Sequence, residues 1–337
     1  MTHLTRRAWR LALTLAAAAA LSACGGDGGG DDVAQVPPDV ETHIDTAGRL
    51  ALISADSASV RVYDLDSRSL ARTFPLPNVP SAIHASPDRR YALAFQRTQD
   101  LVSFVDGGIW QEDHVDHLHD YMADPKLLPF ALAGARPTHY EVHDDLAAVF
   151  MDGLDPTANA EAVLLSDAGI GAGKVDARLP LPIAMHGTAE PRGDHLLTTH
   201  RSADAPGTLP NQVELHQRDG AGYRFVQRFA ERCPDLHGSF SNEDHSVFGC
   251  SDGVLVVTQA GNTFTAKKIA NPAGLPAGAR IGTLTGHHAW GGFVGIASPG
   301  HLFAIDPVAG STAPIDWAPG RTRRAHAFDS EGRNFLV

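Results

Sequence analysis

Five histidines recur at one position of an internal repeat. His84, His139, His186, His237 and His326 each lie eleven residues before the last apolar residue of a two-run segment, at Phe95, Phe150, Leu197, Phe248 and Val337. Imidazole nitrogen is a ligand for borderline divalent metals, and several neutral imidazoles around one point make a zinc-type site. Such a site requires the repeated positions to converge. The surrounding segments supply a means: SAIHASPDRRYALAF, RPTHYEVHDDLAAVF, IAMHGTAEPRGDHLL, PDLHGSFSNEDHSVF and RRAHAFDSEGRNFLV each read as a short run, a polar turn and an apolar or alternating run. That is the sequence form of a β-hairpin, and equivalent positions of a closed repeat array face a common place. The plainer alternative is a histidine that only packs or hydrogen-bonds within each inner strand, as most buried polar groups do.

A second set of donors sits between His84 and His139, in Asp113-His114-Val115-Asp116-His117-Leu118-His119-Asp120. The run has no apolar periodicity and is expected to be a surface loop at about residues 107–129. Its alternating imidazole and carboxylate donors both suit Zn2+, in a form fitted to capture and release rather than to permanent storage. An acidic solvated loop is the plainer reading. His287 and His288 form a further pair, but neighbours on a strand point to opposite faces, so they are assigned a structural role.

The elements that must position these residues are strands. Counted from His43, a degenerate first copy, and through Thr285 at the sixth position, the repeat spacings are 41, 55, 47, 51, 48 and 41 residues. Repeats of this length with several short strands each read as β-propeller blades. Later strands of a copy are visible at Val60–Asp64, Leu101–Asp106 and His301–Asp306, with Gly, Asp, Asn and Pro at the turns. The expected fold is all-β: a propeller of seven or eight four-stranded blades over residues 41–337, the last incomplete where the sequence stops at Val337.

The N-terminus points to export. Arg6, Arg7 and Arg10 precede an apolar stretch from Leu11 to Leu21, followed by Leu21-Ser22-Ala23-Cys24, which resembles a lipobox. Residues 1–23 are therefore expected to be a lipoprotein signal peptide with Cys24 as the lipidated residue, and Arg6-Arg7 also resembles a degenerate twin-arginine signal. Gly25 after the cysteine resembles the sorting pattern of outer-membrane lipoproteins in Gram-negative bacteria. Residues 24–40 form a Gly/Asp/Pro tether. Removing the three signal arginines takes the formal charge from −12 to −15, which disfavours nucleic acid and anionic lipid surfaces and favours cations. Cys233 and Cys250 flank the hairpin of the fifth repeat, where antiparallel pairing brings the ends together, so a disulfide is expected.

At these residues the chain resembles the AztD-like periplasmic zinc metallochaperones. The likeness is carried by DHVDHLHDYMADPKLLPFALAGARPTHY, FMDG, MHGTAEP, CPDLHGS with GCSDGVLVVT, and RTRRAHAF, in that order from about Leu50 onward. The resemblance implies a propeller that binds zinc through histidines and a His/Asp-rich loop, and that passes the ion to the solute-binding protein of a zinc ABC importer. It carries over to His139, His186, His237 and His326 as core ligands, and to His114, His117 and His119 with Asp113 and Asp116 in the loop. His84 falls where the family pattern has no histidine. Members of the family continue for roughly another blade, which implies a C-terminally truncated chain. The implied mechanism is capture by the loop, holding by the ring and release to a partner docked on the same face. Other readings from the residues are a metal-dependent propeller hydrolase or lactonase, and a metal-free interaction scaffold at the outer membrane.

Overall fold

Middle strands such as Leu146–Met151 and His245–Cys250 are buried along almost their whole length, on both faces. Sheets packed face to face around an axis produce this, because each sheet has a neighbour on either side. The computed structural model describes residues 42–203, 205–297, 300–317 and 320–337. The expected signal peptide, Cys24 and the tether lie outside the described residues.

Seven antiparallel sheets follow one another along the chain, each a meander in chain order apart from one insertion. The protein is a β-propeller. The first sheet has three strands, Arg49–Ser54, Ser57–Asp64 and Ser69–Pro75. Five four-stranded blades follow, with inner strands Ala82–Ala85, Pro137–His143, Ala189–Arg192, Ser239–Ser241 and Ile281–Thr285. The last sheet pairs only Ala327–Phe328 with Phe335–Leu336.

The core is a series of interfaces between successive blades. Val60, Val62 and Phe74 meet Ala94 and Val105, and Leu93, Phe95 and Phe104 meet Val149, Met151 and Val163. Leu197 and Leu215 meet Phe248 and Leu255, and Val294 and Ile296 meet Phe328 and Phe335. Phe95, Phe150 and Phe248, the apolar ends of the repeat, are fully buried. Each such side chain contributes about 1.5–3 kcal/mol on burial, which fixes the blade spacing and hence the place of the inner strands.

The insertion lies in the second blade, between its third strand Leu101–Asp106 and its fourth strand Lys126–Ala133. Contrary to the sequence expectation, it is not an irregular loop. Ile109–Asp113 and Leu118–Met122 pair as a hairpin. Its polar alternation gives no core face, which is why no apolar period betrays it. Trp110 and Tyr121 stack on one face at 5.0 Å and Arg90 lies over the Trp110 ring, fastening the base of the hairpin to the blade.

Candidate metal centre

Three of the five repeated histidines converge. The rings of His139, His186 and His237 lie 5.0–5.5 Å apart between centroids, and one nitrogen from each falls within 4.8 Å of the others. His139 stands on the inner strand of the third blade, paired with Phe150 across a bulge after Pro137. His186 and His237 precede the inner strands of the next two blades, each followed by a glycine that the fold requires. A side chain at Gly187 would collide with the Thr199 hydroxyl and the Phe150 ring. Gly238 has φ +72 and a Cβ there would come within 2.6 Å of the Gly282 carbonyl. The repeated His-Gly pair is thus a backbone requirement for bringing the imidazoles in close.

Hydrogen bonds assign the tautomers. His186 Nδ1 donates to Asp152 Oδ2 at 2.9 Å, and His237 Nδ1 donates to the Gly282 carbonyl at 2.7 Å. With each proton on Nδ1, both Nε2 atoms carry lone pairs, and these face one another at 3.1 Å. Two acceptors at that distance need a cation between them, either a proton or a metal. Tetrahedral zinc with ligand bonds of about 2.0–2.1 Å separates its nitrogens by about 3.3 Å, so the spacing fits.

Burial disfavours protonation of two of the three histidines. Burial pushes His139 down to about 4, helped by His186 and His237 beside it. Burial likewise lowers His237, although the Gly282 carbonyl opposes it. Burial by itself raises Asp152, but hydrogen bonds from His186, Arg97 and Thr138 hold it below the ordinary carboxylate value. A carboxylate behind a metal-ligating imidazole fixes its orientation and strengthens it as a donor. Asp152 was not singled out from the sequence. Its only signal there was its place in the FMDG motif.

The remaining repeat histidines do not join, and the eleven-residue count explains why for one of them. His84 pairs with Leu93, while Ala82 pairs with Phe95, so equal spacing conceals a two-residue difference in register from His139. His84 instead packs between Phe95 and Tyr140 at 4.9 and 5.0 Å, and burial pushes it down to about 4. His326, expected as a core ligand, is not in the triad. Its Nδ1 accepts from Arg323 Nη1 at 2.9 Å and its ring lies 5.9 Å from Phe335. It directly precedes a sheet of two short strands, which packs on the sixth blade through Phe328 and Phe335. His43 sits at the hairpin, bonded to Asp120 at 3.0 Å. His287 and His288 stack at 4.1 Å in a turn rather than opposing across a strand.

A second cluster occupies the hairpin tip. His114, His117 and His119 bring one nitrogen each within 4.8 Å. The His114 N–H donates to the His117 carbonyl, closing a turn over Val115 and Asp116, and strand alternation puts His117 and His119 on one face. His117 Nδ1 donates to Asp116 Oδ1 at 2.8 Å, and its Nε2 faces His119 Nε2 at 2.9 Å. Asp116 therefore supports a histidine. Asp113 accepts the Val115 N–H at 2.7 Å and shapes the turn, rather than joining the nitrogens as expected.

The two clusters lie at opposite ends of the blades. Arg97, just after the second strand of the second blade, reaches Asp152 Oδ2 at 2.8 Å beside the triad. The hairpin leaves the other end of the next strand, after Asp106. Six residues of strand separate these ends by about 17 Å. The single docking face expected from sequence is therefore not what the topology provides. Near the triad, Cys233 and Cys250 form the expected disulfide, with Cα atoms 4.9 Å apart, and the His237 N–H donates to the Gly249 carbonyl.

Fold and site together define a β-propeller with a half-buried histidine triad of metal-binding form. No family model matches the chain. It is similar to the zinc chaperone AztD of Citrobacter koseri, at 28% identity over 289 residues, covering 83% of this chain. The chain spans 64% of the length of that relative. The crystal structure of Citrobacter koseri AztD matches with TM-score 0.72 at 24% identity, over 85% of this chain and 74% of that one. The apo form of AztD matches at 0.71 with the same identity and coverage. A functionally unknown protein from Desulfotomaculum acetoxidans shares the fold at TM-score 0.54 and 11% identity, over 80% of this chain and 79% of that one.

Proposed function

We propose that this protein is a zinc chaperone of the periplasm, which captures Zn2+ and passes it to the solute-binding protein of a zinc ABC importer. The observation that carries the reading is the pair of facing Nε2 lone pairs of His186 and His237, with both Nδ1 protons committed elsewhere and His139 beside them. Zinc is the cargo. The triad holds it, and the half-buried hairpin histidines His114, His117 and His119 form a separate capture station. The likeness to AztD, a chaperone by name, favours a carrier over a hydrolase. The lipobox-like Cys24, the disulfide and the acidic chain favour an exported protein tethered to the outer membrane, in a compartment where a thiol pair stays oxidised.

Zinc content of the mature, untagged protein tests this. The wild type is expected to hold zinc that His139→Ala/His186→Ala loses from the triad and His117→Ala/His119→Ala loses from the hairpin. Protein that takes up no zinc at micromolar concentration would leave the histidines as packing residues. Transfer is then read by mixing zinc-loaded protein with an importer's binding protein in the presence of a competing chelator.

A further inference from the structure

One carboxylate of the hairpin has an oxygen beside the histidines, and it lies just outside the Asp/His run. Glu112 pairs with His119 across the hairpin, and Trp110 pairs with Tyr121 one step nearer the blade. Paired residues of an antiparallel ladder share a face, so Trp110, Glu112, His117, His119 and Tyr121 stand on one side. On that side Glu112 Oε2 lies 3.8 Å from His114 Nε2, and the His114 ring stacks on His119 at 4.5 Å.

The acidic residues of the run itself are engaged differently. Asp113 Oδ1 accepts the Val115 N–H, and Asp116 Oδ1 accepts from His117 Nδ1. Asp120 projects from the opposite face, where it accepts from Gln111 Nε2 at 2.7 Å and from the Ile44 N–H at 2.9 Å, and meets His43 Nδ1 at 3.0 Å. Glu112 is held from the blade side instead. Its Oε1 accepts the Trp110 indole N–H at 2.9 Å. That indole stacks on Tyr121 at 5.0 Å and lies 3.8 Å from the Arg90 guanidinium, which Asp106 fixes through two hydrogen bonds. The second oxygen of Glu112 is thereby presented to the histidines.

We propose that Glu112 is the fourth ligand of the hairpin station, completing a site of three imidazoles and one carboxylate, and that Trp110 positions it. The proposal rests on the reading of the hairpin as a place of zinc capture. Tetrahedral zinc holds its ligand atoms about 3.4 Å apart, so Glu112 Oε2 closes on the ion by about half an ångström and Oε1 keeps its bond to Trp110. A donor behind a ligating carboxylate orients it, as Asp116 does behind His117. The carboxylate also sets a preference: a hard oxygen among the imidazoles favours Zn2+ over Cu+, which selects soft sulfur ligands.

The test is zinc affinity against a chelating dye at pH 7.5, on the full chain carrying His139→Ala/His186→Ala so that the triad does not contribute. To this parent are added Glu112→Gln, Trp110→Phe, and both together. Partners behind a metal ligand are worth about 10–100-fold in affinity, so loss of a direct ligand in Glu112→Gln is expected to weaken the Kd about 10-fold or more. Trp110→Phe keeps an aromatic ring against Tyr121. It is expected to weaken the Kd severalfold by itself and to add nothing to Glu112→Gln, because the indole acts through the carboxylate. Zinc-edge anomalous diffraction from zinc-soaked crystals of the parent decides the matter if the Gln variant does not fold, with a peak expected about 2.0–2.2 Å from Glu112 Oε2. A Kd within twofold of the parent after Glu112→Gln, or a zinc peak out of reach of Glu112, overturns the proposal and leaves Glu112 a partner of Trp110. A parent that takes up no zinc overturns it together with the hairpin station. Transfer to an acceptor does not enter the measurement, so the chaperone reading can fail while the role of Glu112 stands.

Discussion

Replacing Asp152 by Asn tests whether the triad is built as a metal site or merely packs. The substitution keeps the shape of the side chain and removes its charge. In the structure that charge accepts three hydrogen bonds, from His186 Nδ1 at 2.9 Å, Arg97 Nη2 at 2.8 Å and Thr138 Oγ1 at 2.9 Å. A metal on His186 Nε2 draws electron density from the ring and makes its Nδ1–H a stronger donor, so the carboxylate matters more in the loaded protein than in the empty one. A hydrogen bond to a charged acceptor is worth about 1.5–3 kcal/mol, against about 0.5–1.5 kcal/mol for a neutral one. The difference, about 1–2 kcal/mol, corresponds to zinc affinity weakened about 5- to 30-fold. Competition against a chelating dye at pH 7.5 measures it, with urea denaturation of the metal-free proteins confirming that the variant is folded. A folded variant whose zinc Kd stays within twofold of the wild type would refute the assigned tautomers and the role given to Asp152.

Three further outcomes are expected. Because burial holds His139 near 4 and lowers His237, protons compete with zinc at these two ligands only below the ordinary histidine range. Half-release measured by zinc occupancy should fall below pH 6.5, and release at or above that value contradicts the lowered values of His139 and His237. His84 is neutral in the fold, with its value pushed from an ordinary 6.5 to about 4. The unfolded chain therefore takes up the proton first, and stability is lost as pH falls from about 6.5 towards 4. The cost is about 2 kcal/mol between pH 7 and pH 5, and His84→Leu should lack it in urea titrations at the two values. Cys233→Ser/Cys250→Ser opens a loop with a sequence separation of 17. The chain-entropy model puts the loss at about 3 kcal/mol, read as a lower urea midpoint that added reductant does not lower further.

Much of this protein is legible in its residues. Period-two alternation, turn residues and a repeat of blade length specify an all-β propeller, because strand pairing and inter-blade packing follow local pattern. The His-Gly pairs at 186 and 237, and the three histidines within 114–119, likewise mark donors without reference to the fold. Register was not legible. His84 and His139 stand at the same distance from their apolar anchors, yet one pairs with Leu93 and the other with Phe150, and a slip of two residues along a strand moves a side chain about 7 Å. Partners supplied by other blades were equally hidden. Asp152 reaches His186 across 34 residues and Gly282 reaches His237 across 45, distances over which no local spacing carries information. The relative place of the two histidine clusters followed only from strand direction, since an insertion between a third and fourth strand emerges at the end of the blade opposite the start of the inner strands. Chemistry was written in residue types, whereas convergence depended on register and strand direction, which are settled only when all the blades pack together.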